Sequence, residues 1–287
     1  MARLRSVDDK MPFMEHLGEL RGRILWALGS VLVGLVIAVP FAEKIVDYLA
    51  RPVKKTPGPG TPLTQALDAA LTGPAPTPAQ LHAVLEAWRH QIGGNTLVFV
   101  SLTEAFWVQM KVALIVGVFI ATPGILWQVW RFVAPGLHAH EKKYAAPFVI
   151  VGSLLFAAGG AFSLFVVTPY AIAFMLSYAR PGLQPMISIA TYIDFLLKFT
   201  LAFGAIFELP LAISLLARMG VVTARMLAKN RKYAILGAFI AGAVLTPTPD
   251  MFNQTLMAGP LIILYEIGIV CARIFGRRPA PVATAEP

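Results

Sequence analysis

The chain is organised around runs of about twenty consecutive uncharged, mostly apolar residues, the length an α-helix needs to cross the hydrocarbon of a bilayer. Ile24–Ala42 is one such run, closed by Arg23 and Glu43, and Val112–Trp130 is another, closed by Lys111 and Arg131. Tyr144–Ala179 is uncharged throughout, enough for one helix and an outer extension broken near Pro169. Phe199–Ala217 is interrupted by Glu208, and Tyr233–Pro249 and Met251–Ala272 follow, the last containing Glu266. Six crossings are predicted. Composition agrees: 57% of the 287 residues are hydrophobic and 14% are charged, against about 25% charged in a soluble domain. Cys271 is alone, so no disulfide scaffold can form within the chain.

Six crossings put both termini on one side, and the basic residues decide which. The amino-terminal stretch, the second-to-third and fourth-to-fifth connections and the tail carry sixteen of the 24 Lys and Arg residues. Positive-inside bias makes that side cytoplasmic, which also accounts for the net charge of +9 without nucleic acid. The first apolar run is longer than a signal-peptide core and follows 23 polar or mixed residues, so it reads as a span. Three segments are expected: a cytoplasmic interfacial helix over 1–23, a membrane domain over 24–275 and a disordered tail over 276–287. The membrane domain includes a long outer loop, 44–105. Within that loop Thr56–Pro62 and Thr72–Pro78 read as linkers. Thr64–Leu71 and Pro78–Ile92 read as short amphipathic helices, with Leu81, Val84, Leu85 and Trp88 on one face.

The polar residues inside this apolar pattern are the candidate site. Glu208 sits mid-span, where ionisable groups are functional by default, and Pro210 cannot donate to the Ile206 carbonyl. Packing alone is the plainer reading of Glu208. Glu266 lies about two turns from the end of the last span, where a structural pairing competes with a functional role. Phe13, Leu17, Leu20 and Ile24 mark the amino-terminal helix; Glu15 and Glu19 share a face of it, and Glu19 precedes Arg23 by four residues. On spacing alone these are surface ion pairs. Asp250 can cap the helix that follows it. His138, His140 and Glu141 lack a further well-spaced ligand, so no metal is expected. No hydrolase, metalloprotease or nucleotide-binding motif occurs, and neither catalysis nor a cofactor is expected.

Glu15-His-Leu-Gly-Glu-Leu-Arg-Gly-Arg23, Thr103-Glu-Ala-Phe106 with Lys111, and Gln128-Val-Trp-Arg-Phe132 to His140-Glu141 resemble the TatC subunit of the twin-arginine protein translocase. So do Phe207-Glu-Leu-Pro210, Gly237-Ala-Phe239, Leu245-Thr-Pro247, Asp250 to Gln254 and Tyr265-Glu-Ile-Gly268. The resemblance implies an all-α polytopic protein with a curved, open, glove-like bundle in the bacterial inner membrane. It further implies a receptor for twin-arginine signal peptides of folded cargo, assembling with TatA, TatB and other TatC copies among membrane lipids and driven by the proton-motive force. By position, Glu19 and Glu141 bind the arginine pair, with Arg21, Phe132, Lys142 and Glu15 nearby. Glu208, Pro210 and Gln254 meet a partner's membrane helix, or Glu208 perturbs the local bilayer, and Pro52, Asp250 and Glu266 take structural or partner roles. The chain departs from the family in its much longer first outer loop and in the extra residue of Thr246-Pro-Thr-Pro-Asp250. The competing reading from another class is a proton-coupled small-solute transporter using Glu208, which should carry an internal repeat.

Overall fold

The computed structural model describes residues 13–50, 77–82, 84–85, 97–136, 145–176, 187–246 and 250–276, with side chains at the amino end from residue 18 onward. Ten helices are labelled in chain order: α1 (Phe13–Ala38), α2 (Ala42–Ala50), α3 (Glu104–Val133), α4 (Ala145–Phe162), α5 (Thr168–Leu176), α6 (Ile189–Phe207), α7 (Leu209–Arg218), α8 (Ala224–Lys229), α9 (Arg231–Leu245) and α10 (Met251–Phe275). Two short strands, β1 (Leu97–Val98) and β2 (Ile187–Ser188), pair in parallel, Leu97 with Ile187 and Val98 with Ser188.

Five helical stretches are long and apolar enough to cross a membrane: Gly18–Ala50, Glu104–Val133, Ala145–Met175, Ile189–Arg218 and Met251–Phe275. They match five of the six expected runs. The remaining run, Tyr233–Pro249, coincides with α9, whose 15 residues rise about 22 Å. That is short of a hydrocarbon core of about 30 Å, so length alone does not carry α9 across. Large apolar side chains stand outward along α1, with Trp26 69% and Val36 72% exposed. Such a surface suits lipid and not water.

The third apolar run differs from expectation. Its helix is not broken at Pro169; a π-helical segment, Ser163–Val167, joins α4 to α5. The Thr168 N–H reaches the Ser163 carbonyl five residues back. This wider turn loosens the ladder just ahead of Pro169 and absorbs the missing donor. The fourth run is loosened where expected, and the ladder is interrupted there. The Glu208 N–H bonds to the Ala205 carbonyl at 3.2 Å, a tightened turn, and α7 restarts with Pro210 near its beginning. Pro210 supplies no N–H, so the regular ladder cannot continue through this point.

The helices cluster into two compact units. One comprises the described parts of Met1–Ala38, Leu114–Pro169 and Lys198–Pro287. Its helices approach closely because glycine removes the side chain at the crossings, as in other membrane bundles. A Cβ on Gly34 would overlap the carbonyl of Gly117, and one on Gly159 would overlap the carbonyl of Phe203. Phe162, Phe203 and Phe207 stack beside the second crossing, and α10 packs against both α7 and α9.

The other unit comprises the described parts of Val39–Ala113 and Tyr170–Leu197. Val108, Val112 and Ile193 are its most deeply buried large side chains, and the Tyr192 hydroxyl donates to the Leu49 carbonyl at 3.0 Å. The outer-loop helix is described over 78–82 and 84–85. Thr77 and Gln80 form a reciprocal cap there: the Thr77 N–H donates to Gln80 Oε1 at 2.8 Å, and the Gln80 N–H to Thr77 Oγ1 at 3.4 Å. Its expected partner helix, 64–71, lies outside the described residues.

Candidate functional site

The mid-span carboxylate is built by the break between α6 and α7. Glu208 is half-buried, and its Oε1 has no hydrogen-bond partner among the described residues. The space beside it is kept by a glycine. A Cβ on Gly152 of α4 would lie 3.3 Å from Glu208 Oε2 and 3.0 Å from Leu211. A polar oxygen held in apolar surroundings without a partner is costly, and cores usually eliminate such groups unless they serve a ligand or partner. Pro210 is buried next to it.

The amino-terminal group lies on α1. Arg23 Nη2 donates to Glu19 Oε1 at 2.7 Å, both side chains being about a fifth exposed. The bond uses one arm of the guanidinium, and Arg23 Nε is buried with no partner among the described residues. Arg21 is exposed on the same helix, and Phe132 is half-buried near the end of α3. Glu15 falls within α1 with its side chain outside the described residues, where Pro52, His138, His140, Glu141 and Lys142 also lie. The structure therefore describes Glu19 but not the second carboxylate of the expected pair.

Three further polar groups hold α9 and α10. Asp250 caps α10: its Oδ1 accepts from the Asn253 N–H at 2.7 Å and its Oδ2 from Asn253 Nδ2 at 2.8 Å. Gln254 Nε2 donates to the Phe239 carbonyl on α9 at 3.0 Å. Glu266 receives both arms of Arg231, the first residue of α9, at 2.7 Å each.

Two arrangements in the other unit had no role assigned from the sequence. Glu104 is buried at the start of α3 and accepts from the Val100 N–H (2.6 Å), the Ser101 N–H (3.2 Å), the Ala190 N–H (2.9 Å) and the Ser188 hydroxyl. It thereby ties β2 and the first turn of α6 to the first turn of α3. Lys111 Nζ lies 2.8 Å from each carboxylate oxygen of Asp194. The signal for both was a charged residue flanking or entering an apolar run; their distant partners, Ser188 and Ala190 for Glu104 and Asp194 for Lys111, lie more than eighty positions away and left no local trace.

These features define a polytopic helical membrane protein with polar groups retained inside its helical runs. Comparison with known proteins is decisive about its kind. Residues 15–260 match the family model "Sec-independent protein translocase protein (TatC)", and the chain belongs to that family. The TatC of Desulforapulum autotrophicum is 40% identical over 271 residues, covering 94% of this chain and 87% of that one. The TatC of Escherichia coli K12 is 35% identical, covering 94% and 91%. A crystal structure described as "Twin Arginine Translocase Receptor- TatC" superposes with a TM-score of 0.68 at 34% identity, covering 91% of this chain and all of that chain. A second, in the detergent DDM, gives 0.70. The chain is thus a multi-pass membrane protein of a bacterial translocase family whose members are named as transport machinery and not as enzymes.

Proposed function

We propose that this chain is the receptor subunit of a twin-arginine translocase in the bacterial cytoplasmic membrane, with both termini cytoplasmic. It binds twin-arginine signal peptides of folded cargo and nucleates assembly with TatA, TatB and further TatC copies for export driven by the proton-motive force. The observation that carries the reading is the family match over 15–260, together with the receptor description of a solved structure 34% identical to it.

Glu19 and Glu141 receive the arginine pair, with Arg21, Phe132, Lys142 and Glu15 bordering them. Guanidinium forks bind carboxylates bidentately and outcompete ammonium there. Glu19 supports this role because its bond to Arg23 is single-armed, so an incoming arginine that engages the carboxylate with both arms can replace it. Glu208, with Pro210 and Gln254, offers a partner's membrane helix the hydrogen-bond acceptor that no described residue uses. Asp250 and Glu266 shape the elements around these groups, and Pro52 takes a structural or partner role by its family position.

Photo-crosslinking of a twin-arginine peptide to the solubilised full chain tests the reading. Saturable crosslinking is expected, lost with Glu19→Ala, with Glu141→Ala and with a twin-lysine peptide. Arg23→Ala should leave it intact or raise apparent affinity about twofold. Equal crosslinking in every case removes the site, and transport coupled through Glu208 then becomes the reading to pursue.

A further inference from the structure

Four helix ends surround one groove: α3, α7 and α10 end beside it and α4 begins there, in residues Trp130, Pro147, Arg218 and Phe275. Long helices of a membrane protein start and stop at the bilayer surface, so the groove lies at the interface. It encloses about 280 Å³. Trp130, Phe148 and Leu215 are buried and form its floor, the two rings 5.0 Å apart. Val151 and Phe275 are about half exposed and mark where it opens. On the same helix as Val151, Ile150 and Leu154 are 60% and 65% exposed, so the opening continues into the lipid-facing surface.

Two polar side chains join this lining. The Ser214 hydroxyl is used within its own helix, donating to the Pro210 carbonyl at 2.6 Å. Arg218 brings the charge, its guanidinium lying 5.3 Å over the Phe275 ring. The other two helices that end here also carry arginine in their last turns, Arg131 on α3 and Arg273 on α10. An apolar floor under a cationic, aromatic rim fits a molecule with an acyl chain and an anionic head. The Arg218 guanidinium at the rim favours a head of net negative charge over a zwitterionic one, and Arg pairs phosphate with both arms.

We propose that this groove binds an anionic phospholipid, one acyl chain resting on Trp130, Phe148 and Leu215 and the phosphate paired with Arg218. The site needs only the membrane placement and stands apart from the signal-peptide reading.

Trp130 reports directly on occupancy. In the full chain with Trp26, Trp88, Trp107 and Trp127 changed to Phe, its fluorescence is read in vesicles. These mix phosphatidylglycerol with phosphatidylcholine, one of the two brominated at acyl carbons 6 and 7. Brominated phosphatidylglycerol should quench with about fivefold higher apparent affinity than brominated phosphatidylcholine. Arg218→Gln should abolish that preference while the protein stays folded by circular dichroism. Val151→Trp, read by lipid co-purification, should lower retained phosphatidylglycerol by filling the groove. Equal quenching by both lipids, or a preference that survives Arg218→Gln, overturns the proposal. Relief of quenching by millimolar inorganic phosphate also overturns it, assigning a free-anion site. Displacement of both bromolipids alike by an apolar signal peptide assigns the groove to a peptide and overturns it too.

Discussion

Arg231 opens α9 with both arms of its guanidinium on Glu266 of α10, Nε to Oε1 and Nη2 to Oε2, each at 2.7 Å. Farther along the same helix pair, Gln254 on α10 bonds to the Phe239 carbonyl of α9. A helix of 15 residues is thus fastened to its longer neighbour at two levels.

The two fastenings differ in solvent exposure, and so should their weights. Arg231 and Glu266 are both more than two-fifths exposed, so Glu266→Gln should cost at most about 1 kcal/mol and lose that cost in high salt. Gln254→Leu breaks a half-buried interhelical bond and should cost about 0.6–1.7 kcal/mol with no salt dependence. Thermal unfolding of the solubilised protein at two ionic strengths separates the two.

Glu104→Ala should lower the melting temperature more than Lys111→Met. The first substitution strands the Val100, Ser101 and Ala190 N–H groups that converge on one carboxylate. The second removes one partner of an ion pair a third or more exposed. Hydrogen exchange in Glu104→Ala should accelerate at those three amides, a local signature that a general loss of stability would not produce.

Gly159→Val should destabilise by about 1–3 kcal/mol or prevent accumulation, because a Cβ there overlaps the Phe203 carbonyl. Gly237→Ala, where a Cβ meets nothing within 4 Å, should be neutral or stabilising by up to about 1 kcal/mol. Melting temperatures of the two variants, measured side by side, check the contrast.

Glu208→Gln should leave thermal stability within about 1 kcal/mol of the parent, since Oε1 forfeits no hydrogen bond that the described residues make. Under the receptor reading the same variant should lose most of its co-purification with TatA and TatB. A large stability loss would make Glu208 a packing group, and unchanged co-purification would remove it from the partner contact.

The helical membrane class, the positions of five long helices, the interruption at Glu208 and the Asp250 cap were all legible in the sequence. Each is a local property: apolar run length, a proline's missing donor, a side chain within reach of the next turn's N–H groups. The Glu19–Arg23 pair was legible for the same reason, its partners being one helical turn apart. Continuity through Pro169 was not, because a π-helical turn has no sequence signature comparable to a proline.

The remaining relationships belong to tertiary structure. Glu104 with Ser188 and Ala190, Lys111 with Asp194, and Arg231 with Glu266 join residues 35 to 86 positions apart. The groove under Arg218 gathers four helix ends from three separate stretches of chain. Run length and charge could say that these residues sit near a membrane surface. Only the packing of one helix against another, at crossings narrow enough to exclude a Cβ, decides which of them meet.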